Sequence, residues 1–140
     1  MMVQVDQECI FCQIIARTIP AYIIMEDAAI IVFLSLENHP LIVPKQHIPN
    51  LYTMPDDLGA AIMRTAVPIA NAVKRGLHCD GIYVTQANEP AANQDVFHYH
   101  MHIYPRWFNQ ARSAQYTSPS SPERQAETQW ILRRELGLGE

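Results

Sequence analysis

The run His98-Tyr99-His100-Met101-His102-Ile103-Tyr104 constrains this chain more than any other stretch. Alternate side chains of a strand share a face, so a strand here sets three imidazoles in one row, with roughly 6.5 to 7 Å of backbone between neighbours. Phe97, Tyr99, Met101 and Ile103 then point the other way, into a core. Neutral imidazole exchanges protons near physiological pH, attacks phosphorus and binds metals. The bland reading is a polar outer face that happens to use histidine. Solvent faces normally draw on Lys, Glu, Thr and Ser, whereas three of the chain's 6 histidines fall in this one run, which favours chemistry.

The rest of the chain reads as one small α+β domain. A chain of 140 residues, 49% hydrophobic, buries enough surface for one core and not two. A short helix is expected over residues 9–17, with Phe11, Ile14 and Ile15 on its inner side. Strands are expected over residues 22–25, 29–34 and 41–43. A longer helix is expected after Thr53, whose hydroxyl would cap it, with Pro55 in the first turn and Asp56 at its positive end. Leu58, Ile62, Ala66, Ile69 and Val73 keep helical spacing past Pro68, and Gly76 closes the helix. Residues 81–85 form a fourth strand and the histidine run a fifth. The expected layout is a five-stranded, mostly antiparallel sheet covered by helices on one face.

After Trp107 the character changes. Residues 109–121 are polar and read as a linker or surface segment, and Ser120-Ser121-Pro122-Glu123 opens a C-terminal helix with Trp130, Ile131, Leu136 and Leu138 to bury and Gly137 at its end. The expected organisation is one domain over residues 1–107 with a linker and helical tail over 108–140, packed on the same domain or on a dimer partner.

A formal net charge of -4, with no Lys/Arg cluster, argues against nucleic-acid binding and leaves room for a small phosphate ligand held by backbone donors and neutral rings. The first residues are acidic and lack a long apolar run, so no secretory signal or membrane span is expected, and the location expected is cytoplasmic. Cys9-x-x-Cys12 leaves three readings open: two ligands of a tetrahedral ion, a redox pair, or two small apolar residues beside a helix. Cys79 reads as core.

Four segments together resemble the histidine triad nucleotide-binding family over about residues 9 to 107. They are Cys9-Ile10-Phe11-Cys12-Gln13-Ile14-Ile15 with Ile19-Pro20-Ala21, then His39-Pro40-Leu41-Ile42-Val43-Pro44-Lys45-Gln46-His47, then residues 88–97, and then the histidine run ending at Pro105-Arg106. The resemblance implies the same α+β fold and a nucleotide hydrolase or nucleotidyl transferase acting at the α-phosphate of phosphoramidates or dinucleoside polyphosphates. It casts His100 as the nucleophile that carries the nucleotidyl group, His102 as a contact to phosphate or leaving group, and His98 as the first member of the row. It implies substrate contacts from Asn88, Gln94 and Asp95, a nucleobase lining from Phe11, Ile14, Ile19, Phe33 and Leu36, and places for Ser35 and His39 in the same site. It also implies a structural zinc ion on Cys9, Cys12, His47 and His98, no organic cofactor, and a homodimer. A nucleotide-binding regulatory protein with little turnover, and a phosphorylase or transferase with a phosphate acceptor, are the alternatives.

Several positions depart from the family pattern. Ser35 stands where relatives carry an aspartate for the ribose hydroxyls, and Glu37 is the candidate substitute. The loop from Leu36 to His39 is short. Asp95 replaces Ser or Thr, and Glu89 and Asn93 replace two glycines that give the backbone access to positive φ.

Overall fold

Apolar runs too short for helices and bounded by turn residues become strands that bury both faces. β2 (Ile30–Leu34) and β3 (Pro40–Pro44) are buried at every position. The fold is that of a computed structural model describing residues 8–139. β1 (Ile23–Glu26), β4 (Gly81–Thr85) and β5 (Met101–Arg106) complete an antiparallel sheet of order β1-β2-β3-β5-β4. This is the α+β architecture expected from the sequence.

Strand alternation divides the core in two. On one face Ile24, Ile30, Val32, Leu34, Ile42 and Ile103 pack with Ile62, Ile69 and Val73 of the long helix α2 (Asp56–Gly76). On the other, Ile31, Phe33, Leu41 and Val43 meet Phe11 and Ile14 of α1 (Ile10–Ile15). Helices thus cover both faces, a correction to the one-sided cover expected, because β2 and β3 alternate two apolar sets and not one apolar with one polar. Each fully buried isoleucine contributes roughly 1.5 to 3 kcal/mol.

All five residues expected to form the apolar stripe of α2 are buried, and the helix runs through the exposed Pro68. Its start differs from expectation. Leu51–Thr53 is a separate 3-10 turn capped by Asn50, Pro55 occupies the N-cap position of α2, and Thr53 does not cap it. Asp56 and Asp57 lie in the first turn and Lys74 and Arg75 in the last, as the helix dipole favours.

The histidine run also departs from a uniform strand. Strand pairing begins at Met101, and Tyr99 is held instead by its N–H to the Ile48 carbonyl at 2.7 Å. Tyr99, Met101 and Ile103 are buried as expected, whereas Phe97 is 52% exposed.

Past Trp107, the expected linker contains a short helix α3 (Gln110–Ala114), capped by Asn109. The tail helix α4 (Pro122–Glu135) starts at the expected Ser121 cap but buries Gln125, Thr128 and Leu132, while Trp130 is exposed beneath Arg134. The difference is one of facing: α4 lies against α2 and β1 and needs polar groups there. Gln129 Nε2 donates to the Ile23 carbonyl, Arg133 Nη1 to Ile24, and Asn38 Nδ2 to Thr128 Oγ1. Among the described residues no helix is long and apolar enough to cross a membrane.

Candidate active site

β5 and the three residues before it carry the histidine row, and each ring is oriented by a different partner. His100 is buried, and its Nδ1 lies 2.8 Å from the His98 carbonyl oxygen. A carbonyl only accepts, so Nδ1 carries the hydrogen and the Nε2 lone pair faces the adjoining cleft. Phe11 meets the His100 ring edge to face at 5.0 Å, fixing its plane. The sequence names this ring but not its partner, since a main-chain acceptor has no residue type to recognise.

His102 is oriented through His39. Tyr116 O lies 2.9 Å from His39 Nδ1, so His39 donates there and accepts at Nε2 from His102 Nδ1, also at 2.9 Å. Burial holds His39 at about 3 and His102 at about 4, well below the ordinary 6.5, although the Tyr116 carbonyl pulls His39 upward. Both rings are neutral at physiological pH, and His102 presents an Nε2 lone pair. Its ring stacks at 3° on Tyr104.

His98 faces away from the cleft. Its Nε2 donates to the Pro44 carbonyl at 2.7 Å, which turns the Nδ1 lone pair toward Cys9 Sγ at 3.5 Å, Cys12 Sγ at 3.6 Å and His47 Nδ1 at 3.2 Å. Cys12 Sγ and His47 Nδ1 are 3.3 Å apart, and one ligand atom from each of the four residues lies within 4.8 Å of the others. Ligands at 2.0 to 2.3 Å around a tetrahedral ion stand roughly 3.3 to 3.8 Å apart, so two sulfurs and two nitrogens at these separations fit zinc. The Pro44 carbonyl is the outer partner a ligating imidazole needs. Burial keeps His98 low, at about 4, so its nitrogen is available as a lone pair. With four protein donors there is no open coordination position. Cys79 lies in the core, as expected.

Next to His100 and His102 opens a cleft of about 500 Å3. Of the residues singled out from the sequence, Phe11, Ile14, Ile19, Phe33, Ser35, Leu36 and Asp95 line it with the two histidines. Four others are placed elsewhere: His39 stands behind His102, His98 in the sulfur cluster, and Asn88 and Gln94 in the neighbouring loop. Asn88 Oδ1 accepts from Leu51 N–H at 2.8 Å. Gln94 is buried, with Oε1 on the Glu89 N–H at 2.6 Å and Nε2 on the Pro49 carbonyl. Both hold the loop in shape. Gln125 also lines the cleft and donates to the Ser35 carbonyl at 2.8 Å. Sequence reading missed it and the Tyr116 carbonyl, for both arrive from a tail with no motif of its own.

The loop keeps the backbone of the two absent glycines. Asn93 adopts φ 69, ψ 27, the left-handed region that asparagine tolerates. Glu89 adopts φ 75, ψ 157, a region that is nearly glycine-only and costs about 1 to 3 kcal/mol. Its carboxylate accepts from Tyr52 OH at 2.8 Å.

Comparison with known proteins agrees with this geometry. A family model described as HIT domain matches residues 16–109. "Protein hit" of Bacillus subtilis is 38% identical over 105 residues, covering 72% of this chain and 72% of that protein. Adenosine 5'-monophosphoramidase HNT1 of Saccharomyces cerevisiae is 35% identical over 105 residues, 72% of this chain and 64% of that one. Adenylylsulfatase HINT3 of Arabidopsis thaliana is 33% identical over 105 residues, 72% and 53% of the two chains. The crystal structure of a zinc-bound histidine triad family protein from Mycobacterium smegmatis superposes with a TM-score of 0.80 at 30% identity, covering 92% of this chain and 93% of that one.

Proposed function

The chain belongs to the HIT family, and from that premise we propose that it is a nucleotide hydrolase or nucleotidyl transferase acting at the α-phosphate of nucleoside phosphoramidates, dinucleoside polyphosphates or related compounds. The observation that carries this reading is the 2.8 Å contact of His100 Nδ1 with the His98 carbonyl, which leaves Nε2 as a nucleophile aimed into the cleft. The phosphoramidase and adenylylsulfatase activities named for two relatives support the substrate class.

In the first displacement His100 Nε2 bonds to the α-phosphorus as the bond to the leaving nitrogen or oxygen breaks, and the leaving group takes the bonding electron pair, a leaving nitrogen also taking a proton from solvent. In the second, the oxygen of water or another acceptor bonds to phosphorus, the N–P bond breaks, and the acceptor's proton passes to His102 Nε2. His39 accepts from the far side of that ring and disperses the charge it gains. Phe11, Ile14, Ile19, Phe33 and Leu36 hold the base. Cys9, Cys12, His47 and His98 would hold zinc, which would supply a structural crosslink between α1 and the start of the triad segment.

Residues 1–107 form the catalytic domain in this reading, and 108–140 are its linker and helical tail, of which α4 packs against α2 and β1. A reducing compartment such as the cytoplasm suits thiolate ligands. The outer edge of β4, with Tyr83 and Val84 half exposed, supports a homodimer.

The test is intact mass after brief exposure to nucleoside phosphoramidates. The wild type gains a nucleotidyl mass and His100→Asn does not. Nucleotide binding with neither adduct nor product would instead favour a regulatory binding protein. Acceleration by added phosphate would favour a phosphorylase.

A further inference from the structure

The charge of the cleft is unusual for a nucleotide site. Among the described residues its lining contains no lysine or arginine, and the charged side chains there are two carboxylates, Glu37 and Asp95. Arg106 is engaged elsewhere, over the rings of Tyr83 and Tyr104. Asp95 Oδ1 lies 3.7 Å from His100 Nε2, the atom against which a phosphorus must sit. A phosphorus in attacking position stands roughly 3 to 3.5 Å from that nitrogen, so its oxygens share the same space with the carboxylate. The Asp95 side chain is 82% exposed and stands among the residues lining the cleft.

We propose that Asp95 sets a charge ceiling on the ligand. The cleft accepts nucleotidyl groups with one negative charge on the α-phosphorus and a neutral or cationic leaving group, as in the phosphoramidate of an amine. It turns away polyanions, including dinucleoside polyphosphates and its own dianionic nucleoside monophosphate product. This rests on the reading of the site given above and narrows its substrate class. When a phosphoramidate is hydrolysed its P–N bond breaks, the amine departs with a proton, water supplies the new oxygen on phosphorus, and the monophosphate reaches its second negative charge at neutral pH. The ligand therefore crosses the ceiling only after reaction, and Asp95 favours its release. For an exposed carboxylate a few ångströms away, one extra ligand charge is worth a factor of about five to ten at low salt.

Calorimetric titration of the full chain with adenosine monophosphate and with its methyl ester, a monoanion of nearly the same shape, tests the ceiling at pH 7.5. The wild type is expected to bind the ester about tenfold tighter than the monophosphate. In Asp95→Asn both ligands bind tighter, the monophosphate by about fivefold more than the ester, so that the ratio falls to about two, and 0.5 M salt narrows it in the wild type. Equal shifts of both ligands in the variant, or a wild-type preference for the dianion, would overturn the proposal. Discrimination between the ligands without a nucleotidyl adduct on His100 overturns the hydrolase reading and leaves the ceiling standing. An adduct without discrimination does the reverse, and failure to bind either ligand overturns both.

Discussion

His39 Nε2 stands 2.9 Å from His102 Nδ1, and the far side of the His39 ring is pinned by the Tyr116 carbonyl, also at 2.9 Å. The chain of donors runs in one direction only, because the carbonyl has no hydrogen to give. Its consequence is that His102 keeps the Nε2 lone pair for the cleft it lines, while His39 stands behind it outside that lining.

Removing the second ring therefore leaves the cleft lining intact and misorients the first. His39→Ala is expected to lower kcat about 10- to 100-fold, the usual cost of losing an outer partner of a functional imidazole, with KM changed less than threefold. His39→Gln, whose amide oxygen accepts, recovers part of the loss. Steady-state kinetics on a phosphoramidate read both parameters, and a change confined to KM would contradict the assignment.

Elemental analysis is expected to return about one zinc ion per chain for the wild type and none for His47→Ala. That side chain belongs to the sulfur cluster and does not line the cleft. Losing a structural ion costs several kcal/mol, and at about 3 °C per kcal/mol the melting temperature falls by about 10 °C or more. Chelation of the wild type gives the same shift, reversed by added zinc.

Backbone strain at Glu89 separates two substitutions. Glu89→Ala retains φ 75 and loses the contact with Tyr52, whereas Glu89→Gly loses the same contact but relieves about 1 to 3 kcal/mol of strain, offset by about 0.5 to 1 kcal/mol of glycine chain entropy. Glu89→Gly is expected to be about 1 kcal/mol more stable than Glu89→Ala in urea denaturation. The reverse order would mean that the loop relaxes around the side chain.

Acid sensitivity follows from the buried pair. His39 and His102 titrate in the folded protein at about 3 and about 4, below the unfolded value of 6.5, so the unfolded chain binds more protons between those limits. Stability is full above pH 6.5 and falls as the pH drops toward 4, by at most about 1.4 kcal/mol per unit for each ring. Denaturant midpoints measured from pH 7 to 5 are expected to decline by an amount equivalent to roughly 3 kcal/mol, and less in His39→Gln.

The elements legible in the sequence are those governed by local pattern. The stripe from Leu58 to Val73 specified α2, because helical periodicity depends only on neighbours along the chain. Ser121 before Pro122 marked the start of α4 for the same reason. The facing of α4 was not legible: Leu132 is buried and Trp130 exposed because the helix meets α2 at Gly76, where a Cβ would stand 2.8 Å from Ile131 Cγ2. Glu89 and Asn93 were legible as substitutions in a glycine-rich pattern, and the positive φ at both records what that pattern required of the backbone.

The sequence by itself determined the strand content, the long helix, the family and the residue types that meet at the site, since period and motif spacing are written along one dimension. Only the tertiary structure decided that the Pro44 carbonyl turns His98 to the sulfurs and the His98 carbonyl turns His100 to the cleft, that His39 stands behind His102, and that Gln125 and the Tyr116 carbonyl reach the site from the tail. Those outcomes depend on main-chain acceptors and on contacts between residues as many as 90 positions apart, as in the Gln125 bond to Ser35, which no local pattern encodes.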